Sequence, residues 1–116
     1  MDHRQGFRKT VSIDAVAESA SCGPCAVRIV DVSLTGVYVE GAAVGDFSKY
    51  APLSLHFRLE LHDGTKDFRW RGFVVRLGHD GAGAVFESSD PMDQSGLLAL
   101  LMAADDDSQD VLDGAS

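Results

Sequence analysis

"CGPCAVRIVDV", residues 22–32, decides how the chain folds, because its two halves point to different architectures. Cys22-Gly23-Pro24-Cys25 has the Cys-x-x-Cys spacing of a dithiol redox centre. Such a centre works when the first cysteine sits at a helix N-terminus, where free N–H groups and the helix dipole stabilise the thiolate. Cys25 leads instead into "AVRIVDV", β-branched at Val27, Ile29, Val30 and Val32. That composition favours a strand, which removes the dipole. Gly-Pro between two strands is turn chemistry in its own right. The cysteines therefore read as small residues flanking a hairpin turn, with a CGPC thiol redox protein as the weaker alternative. A zinc site is disfavoured, since His3, His56, His62 and His79 share no ligand spacing with the cysteines or with one another.

The two-residue period extends in both directions. "TVSIDAVA" (10–17) alternates Val11, Ile13 and Ala15 with polar neighbours, and "GVYVE" (36–40) is a further short strand. "LSLHFRLEL" (53–61) places Leu53, Leu55, Phe57, Leu59 and Leu61 on one face. Residues 41–52 have no clean period and read as a loop. "HDGTK" (62–66) carries an Asp-Gly hairpin signal. "DFRWRGFVVRL" (67–77) starts with Phe68 and Trp70 on one face and changes phase to Phe73, Val75 and Leu77, a shift that a β-bulge near Gly72 would absorb. "GHDGAG" (78–83) reads as a turn and "AVFES" (84–88) as a last strand.

The period then becomes helical. In "DPMDQSGLLALLMAAD" (90–105) Asp90 is an N-cap, Pro91 the first helical residue and Asp93 an acid in the first turn. Leu97, Leu98, Leu101 and Met102 fall on one face, and Gly96 weakens the helix somewhat. Six strands and one helix predict a mainly β fold, a six-stranded antiparallel β-barrel with one C-terminal α-helix and a flexible N-terminal arm. The arm covers 1–9, the barrel and helix 10–103, and an acidic disordered tail 104–116.

A chain of 116 residues is sized for one domain with its own core. No apolar run approaches the ~20 residues of a membrane span. The polar, basic start "MDHRQGFRK" is unlike a secretory signal, so a cytoplasmic location is expected. Net charge is −8, and five aspartates of the tail carry much of it; without them 13 acids face 10 bases. That balance speaks against long nucleic acids as partners. Locally, "HRQGFRK" (3–9) holds Arg4, Arg8 and Lys9 and no acid, which suits a small anion. No Ser–His–Asp arrangement, phosphate-cradling glycine loop or metal cluster marks an enzyme.

Two short motifs carry the most information. In "RQGFR" (4–8) two arginines four residues apart stand just before a strand. In "DVSLTG" (31–36) Asp31, Ser33 and Gly36 lie between two strands, Asp31 and Ser33 facing the same way and Gly36 free to adopt φ > 0. In order and spacing the two resemble the Arg-x-x-x-Arg and (Asp/Asn)-x-Ser-x-x-Gly signatures of the PilZ domain family. "RGFVVRL", "GAGAVFES" and "DPMDQSGLLALL" look like its later strands and helix, so the likeness runs from about His3 to Met102.

The resemblance implies binding of cyclic di-GMP, no resident cofactor, and a site built from Arg4, Arg8, Asp31, Ser33 and Gly36, with Trp70 as a further stacking candidate against its simpler reading as core. It also implies a downstream partner protein in trans, in pathways such as motility, pilus function or exopolysaccharide synthesis. The residue types suit that ligand. Arginine can fork onto a phosphate or onto guanine O6 and N7, and Asp31 can accept from the guanine N–H groups. Arg71 or Arg76 would add positive potential from a barrel strand. Many family members have a further arginine where this chain has His3, which leaves the number of bound ligands open. The competing reading is a PilZ-like protein-interaction module that binds no nucleotide.

Overall fold

The computed structural model describes residues 9–19 and 22–115. Arg4, Arg8 and His3 therefore lie outside the described residues. The strands are β1 (Lys9–Ser19), β2 (Cys22–Val32), β3 (Gly36–Glu40), β4 (Pro52–Leu61), β5 (Gly64–Leu77) and β6 (Gly81–Phe86), followed by the helix α1 (Pro91–Ala115). All pair antiparallel and close in the order β1-β2-β3-β6-β5-β4. Closure removes the free sheet edges that a six-stranded open sheet would expose.

The alternating strands turn their apolar face inward. Leu53, Leu55 and Phe57 of β4 are buried, but Leu59 is only partly covered and Leu61 is 43% exposed. The reason is topological: pairing of β1 with β4 ends at Ala15↔Phe57, whereas β4 and β5 stay paired out to Leu61↔Gly64. The tip of that hairpin extends beyond the barrel, so its last leucine has nothing to pack against. The reversal itself is made by His62 and Asp63, with Gly64 at φ 124°, a value that favours glycine.

Trp70 is fully buried at the centre of the barrel, its ring tilted 58° to Phe86 at a centroid distance of 5.8 Å. This corrects its candidacy as a stacking surface for a ligand, because the core covers both faces of the indole. β5 keeps one phase through Trp70, Gly72 and Val74, all buried, and Phe73 points outward. The bulge predicted near Gly72 falls at Val75, where the register against β6 shifts between Val74 and Arg76.

Gly72 has a different task. A Cβ there would collide with the Val85 carbonyl oxygen and stand 2.7 Å from Cη2 of Trp70. Replacing Gly72 with alanine is expected to cost about 2–3 kcal/mol, the upper range for overpacking, because backbone and an immobile indole must both give way. The measurement is urea unfolding, read as a lower midpoint at unchanged slope.

The Cys-Gly-Pro-Cys segment lies on β2 itself. Ser19 pairs with Cys22 and Ala17 with Cys25, so Cys22 and Cys25 both stand in the β1–β2 ladder, and Gly23 and Pro24 are taken up in a register shift opposite Glu18. The hairpin-turn placement is corrected accordingly. Cys25 is partly buried and its thiol donates toward the Ala17 carbonyl at 3.6 Å. The segment continues as a strand to Val32, so the helix dipole that would activate a redox cysteine is missing.

α1 packs on β5 and β1 through a face that apolar periodicity does not reveal. Asp93 and Leu100 are fully buried, Gly96 is buried, and Leu97 and Leu101 are partly so, whereas Leu98 and Met102 are 58% and 66% exposed. A Cβ on Gly96 would strike the Arg69 carbonyl oxygen, so this glycine lets helix and strand backbones meet. The helical backbone also continues beyond 103 to Ala115 through the segment expected as a disordered tail; no proline or glycine interrupts residues 97–113. Among the described residues no helix is long and apolar enough to cross a membrane.

Candidate functional site

β2 ends at Val32 and β3 begins at Gly36, and the three residues between form a tight loop organised by Ser33. The Ser33 N–H donates to the Gly36 carbonyl at 2.8 Å, while its hydroxyl accepts from the N–H groups of Thr35 and Gly36 at 3.3 and 3.2 Å. A Ser side chain that takes two backbone donors fixes the loop's shape. Gly36 does not use a left-handed conformation, as the sequence suggested. It is glycine because a Cβ would run into the Ala84 carbonyl oxygen of β6, the strand that pairs with it.

The loop borders a cavity of about 290 Å³ on the outer wall of the barrel. Asp31, Ser33 and Gly36 all line it, together with Thr35, Tyr38, Val75, Arg76, Gly83 and Val85. Pairing sets the geometry. Asp31 of β2 stands opposite Tyr38 of β3, Tyr38 opposite Gly83 of β6, and Gly83 opposite Arg76 of β5. One cross-strand row thus runs over four neighbouring strands, with a carboxylate at one end and a guanidinium at the other. At the carboxylate end the row continues to Thr10 of β1, and Lys9 pairs with Val32. The chain therefore enters the barrel directly beside Asp31, and the eight residues that precede Lys9 join it there.

Tyr38 and Arg76 are the wall residues that the motifs did not single out as binding residues. Tyr38 rests on glycines. A Cβ at Gly81 would overlap its ring, and one at Gly78 would come within 3.0 Å of its hydroxyl. The "GHDGAG" stretch, read as a turn, is thus partly strand, and its glycines make room for a phenol. The signal was available: Tyr38 is two residues from Gly36 and must share its face. Arg76 sits where the bulge at Val75 turns it outward.

The other two arginines of β5 are occupied elsewhere. Arg69 Nε donates to Asp93 Oδ1 at 2.5 Å and Arg71 Nε to Asp93 Oδ2 at 2.7 Å, and Arg69 also reaches Asp90 at 3.1 Å. The Ser88 hydroxyl adds a third bond to Asp93. Burial by itself would raise the Asp93 pKa; the bonds from Arg69, Ser88 and Arg71 and the Arg69 charge outweigh it and hold the carboxyl at about 2. Asp90 caps α1 by accepting from the Met92 N–H at 2.9 Å. This cluster fastens α1 to the barrel, so Arg71 lends no charge to the cavity.

Among the described residues no group of three or more His, Cys, Asp or Glu side chains is arranged to hold a metal ion. Neither a family model nor a curated protein matches the sequence. Solved structures do. The PilZ domain of CeSA from a cellulose-synthesising bacterium superposes with a TM-score of 0.62 at 16% identity, over 82% of this chain and 94% of that one. The inhibitor of motility MotI/DgrA of Bacillus subtilis superposes with a TM-score of 0.65 at 19% identity, over 83% of this chain. The match spans about half of the latter's length, 48%. At such identities the likeness speaks for architecture. Closed in this strand order and backed by a C-terminal helix, the barrel has the fold of a PilZ domain.

Proposed function

We propose that the chain is a cyclic di-GMP receptor without catalytic activity, which signals to a partner protein by changing the surface around the cavity. The observation that carries this reading is the convergence of Asp31, Ser33 and Gly36 on one cavity at the point where β1 begins. A volume of about 290 Å³ is at the lower end of small-ligand clefts, so a dinucleotide would fill it and project beyond it. Eight preceding residues can span up to about 27 Å, enough for Arg4 and Arg8 to cover the projecting part. Their guanidinium groups would neutralise the two phosphodiesters or fork onto guanine, while Asp31 accepts from the guanine N–H groups.

Recruitment of the arm supplies the signal. A segment that is ordered by ligand presents a new surface, and a partner that prefers this surface raises ligand affinity by the same factor that ligand raises partner affinity. The Ser33 hydroxyl serves mainly to hold the loop, so its loss would act through the positions of Asp31 and Gly36.

Calorimetric titration of cyclic di-GMP into the protein, freed of co-purified nucleotide, is the test. Saturable binding is expected, weakened at least tenfold by Arg8→Ala, and the molar ratio reports whether His3 permits one ligand or two. A folded wild-type sample that takes up no heat would leave a protein-interaction module as the function of the barrel.

A further inference from the structure

We propose that Arg76 is the residue on the barrel wall that makes the site selective for guanine, reading the O6/N7 edge of a base whose N1/N2 edge faces Asp31. This rests on the cyclic di-GMP reading above and goes beyond it, since neither signature motif includes β5.

Three observations converge on Arg76. Among the described residues the chain has five arginines, and four of them are paired: Arg28 with Asp14, Arg58 with Asp67, and Arg69 and Arg71 with Asp90 and Asp93. Arg76 alone of the five has no such carboxylate, and it is also the one that lines the cavity. An arginine turned into a cleft with its donors unspent is a recognition element in waiting.

The second observation is the floor beneath it. Gly83, between Arg76 and Tyr38 in the cross-strand row, has no side chain, and a Cβ added there would stand 3.7 Å from Arg76 Cβ and Nε and from Tyr38 Cδ1. That is ordinary contact distance, so nothing in the backbone packing requires glycine here. Gly83 is itself buried beneath the two side chains, so guanidinium and phenol ring face one another across a position with no side chain between them, and flat π surfaces stack readily on tyrosine.

The third is the spacing. Asp31 and Arg76 are three strand positions apart, about 14 Å between backbones at the usual strand separation. A base held between them would have to be met by the short carboxylate from one side and the long guanidinium from the other. A guanine there would present N1–H and N2–H₂ to Asp31, and two acceptors, O6 and N7, to the arginine fork. Adenine carries a donor at N6 and would oppose the same arginine, so the pair selects guanine.

The experiment compares cyclic di-GMP and cyclic di-AMP on the wild type, Arg76→Ala and Arg76→Lys by calorimetry, with thermal unfolding as the control for folding. Arg76→Ala is expected to weaken cyclic di-GMP about 10- to 100-fold and to leave cyclic di-AMP unchanged, with Arg76→Lys unable to restore the loss. Full affinity in Arg76→Lys, or equal losses for both dinucleotides, would reduce Arg76 to a point charge near a phosphate and overturn the proposal. So would unchanged binding in Arg76→Ala when the wild type binds. A wild type that binds neither dinucleotide removes the receptor reading itself, and this proposal with it.

Discussion

Asp93→Ala is expected to destabilise the protein by about 3 kcal/mol, the lower end of the range for breaking a buried ion pair. Asp93 is wholly buried and accepts hydrogen bonds from Arg69, Arg71 and Ser88. Its removal leaves two cations to share Asp90, which is itself 41% exposed. The lower end applies because the Arg69 and Arg71 side chains keep 26% and 44% exposure and can turn toward water. The charge on Asp93 also ties stability to pH. Its folded pKa of about 2 lies below the ordinary 3.8, so the stabilisation is complete above the unfolded value and is lost as pH falls from about 4 through 2. Urea midpoints of wild type and Asp93→Asn should therefore differ most at pH 5 to 7 and converge toward pH 2. A difference that stays constant over that window would mean the carboxylate acts by shape and not by charge.

This anchor shows where sequence reading reaches and where it stops. Strands were legible wherever side chains alternate between barrel and solvent, as in Leu53, Leu55 and Phe57, because the pleat imposes the period. The buried face of α1 was not, since an aspartate and a glycine occupy two of its positions. Asp93 is there for Arg69 and Arg71, Gly96 for the Arg69 backbone, and neither registers as apolar. Leu98 and Met102 consequently looked inward when they point out. The bulge on β5 falls three residues beyond Gly72 for a related reason: a glycine within a strand reads as the irregular residue, but this one serves Trp70 and Val85. In the candidate site, Asp31, Ser33 and Gly36 were found because they are close in sequence. Tyr38, Gly83 and Arg76 come from three strands, and only pairing register brings them to one row.

The glycines around that row separate fold from binding, and Gly83→Leu uses the difference. Gly36 and Gly81 are fixed by packing: a side chain would meet the Ala84 carbonyl at one and the Tyr38 ring at the other. Gly83 meets nothing closer than 3.7 Å. A leucine there carries three carbons beyond its Cβ at a position buried under Arg76 and Tyr38, so those two side chains must swing outward to admit it. Stability is expected to fall by about 1 kcal/mol, the lower end for overpacking, because Arg76 is exposed and can move aside. The isobutyl group would nevertheless occupy the floor of the 290 Å³ cavity, between Tyr38 and Arg76. Cyclic di-GMP binding is therefore expected to fall more than 100-fold in a protein that still unfolds cooperatively. Binding that survives the leucine would put the ligand elsewhere, on the arm alone or another face, because a base cannot share that floor with a side chain of leucine's size.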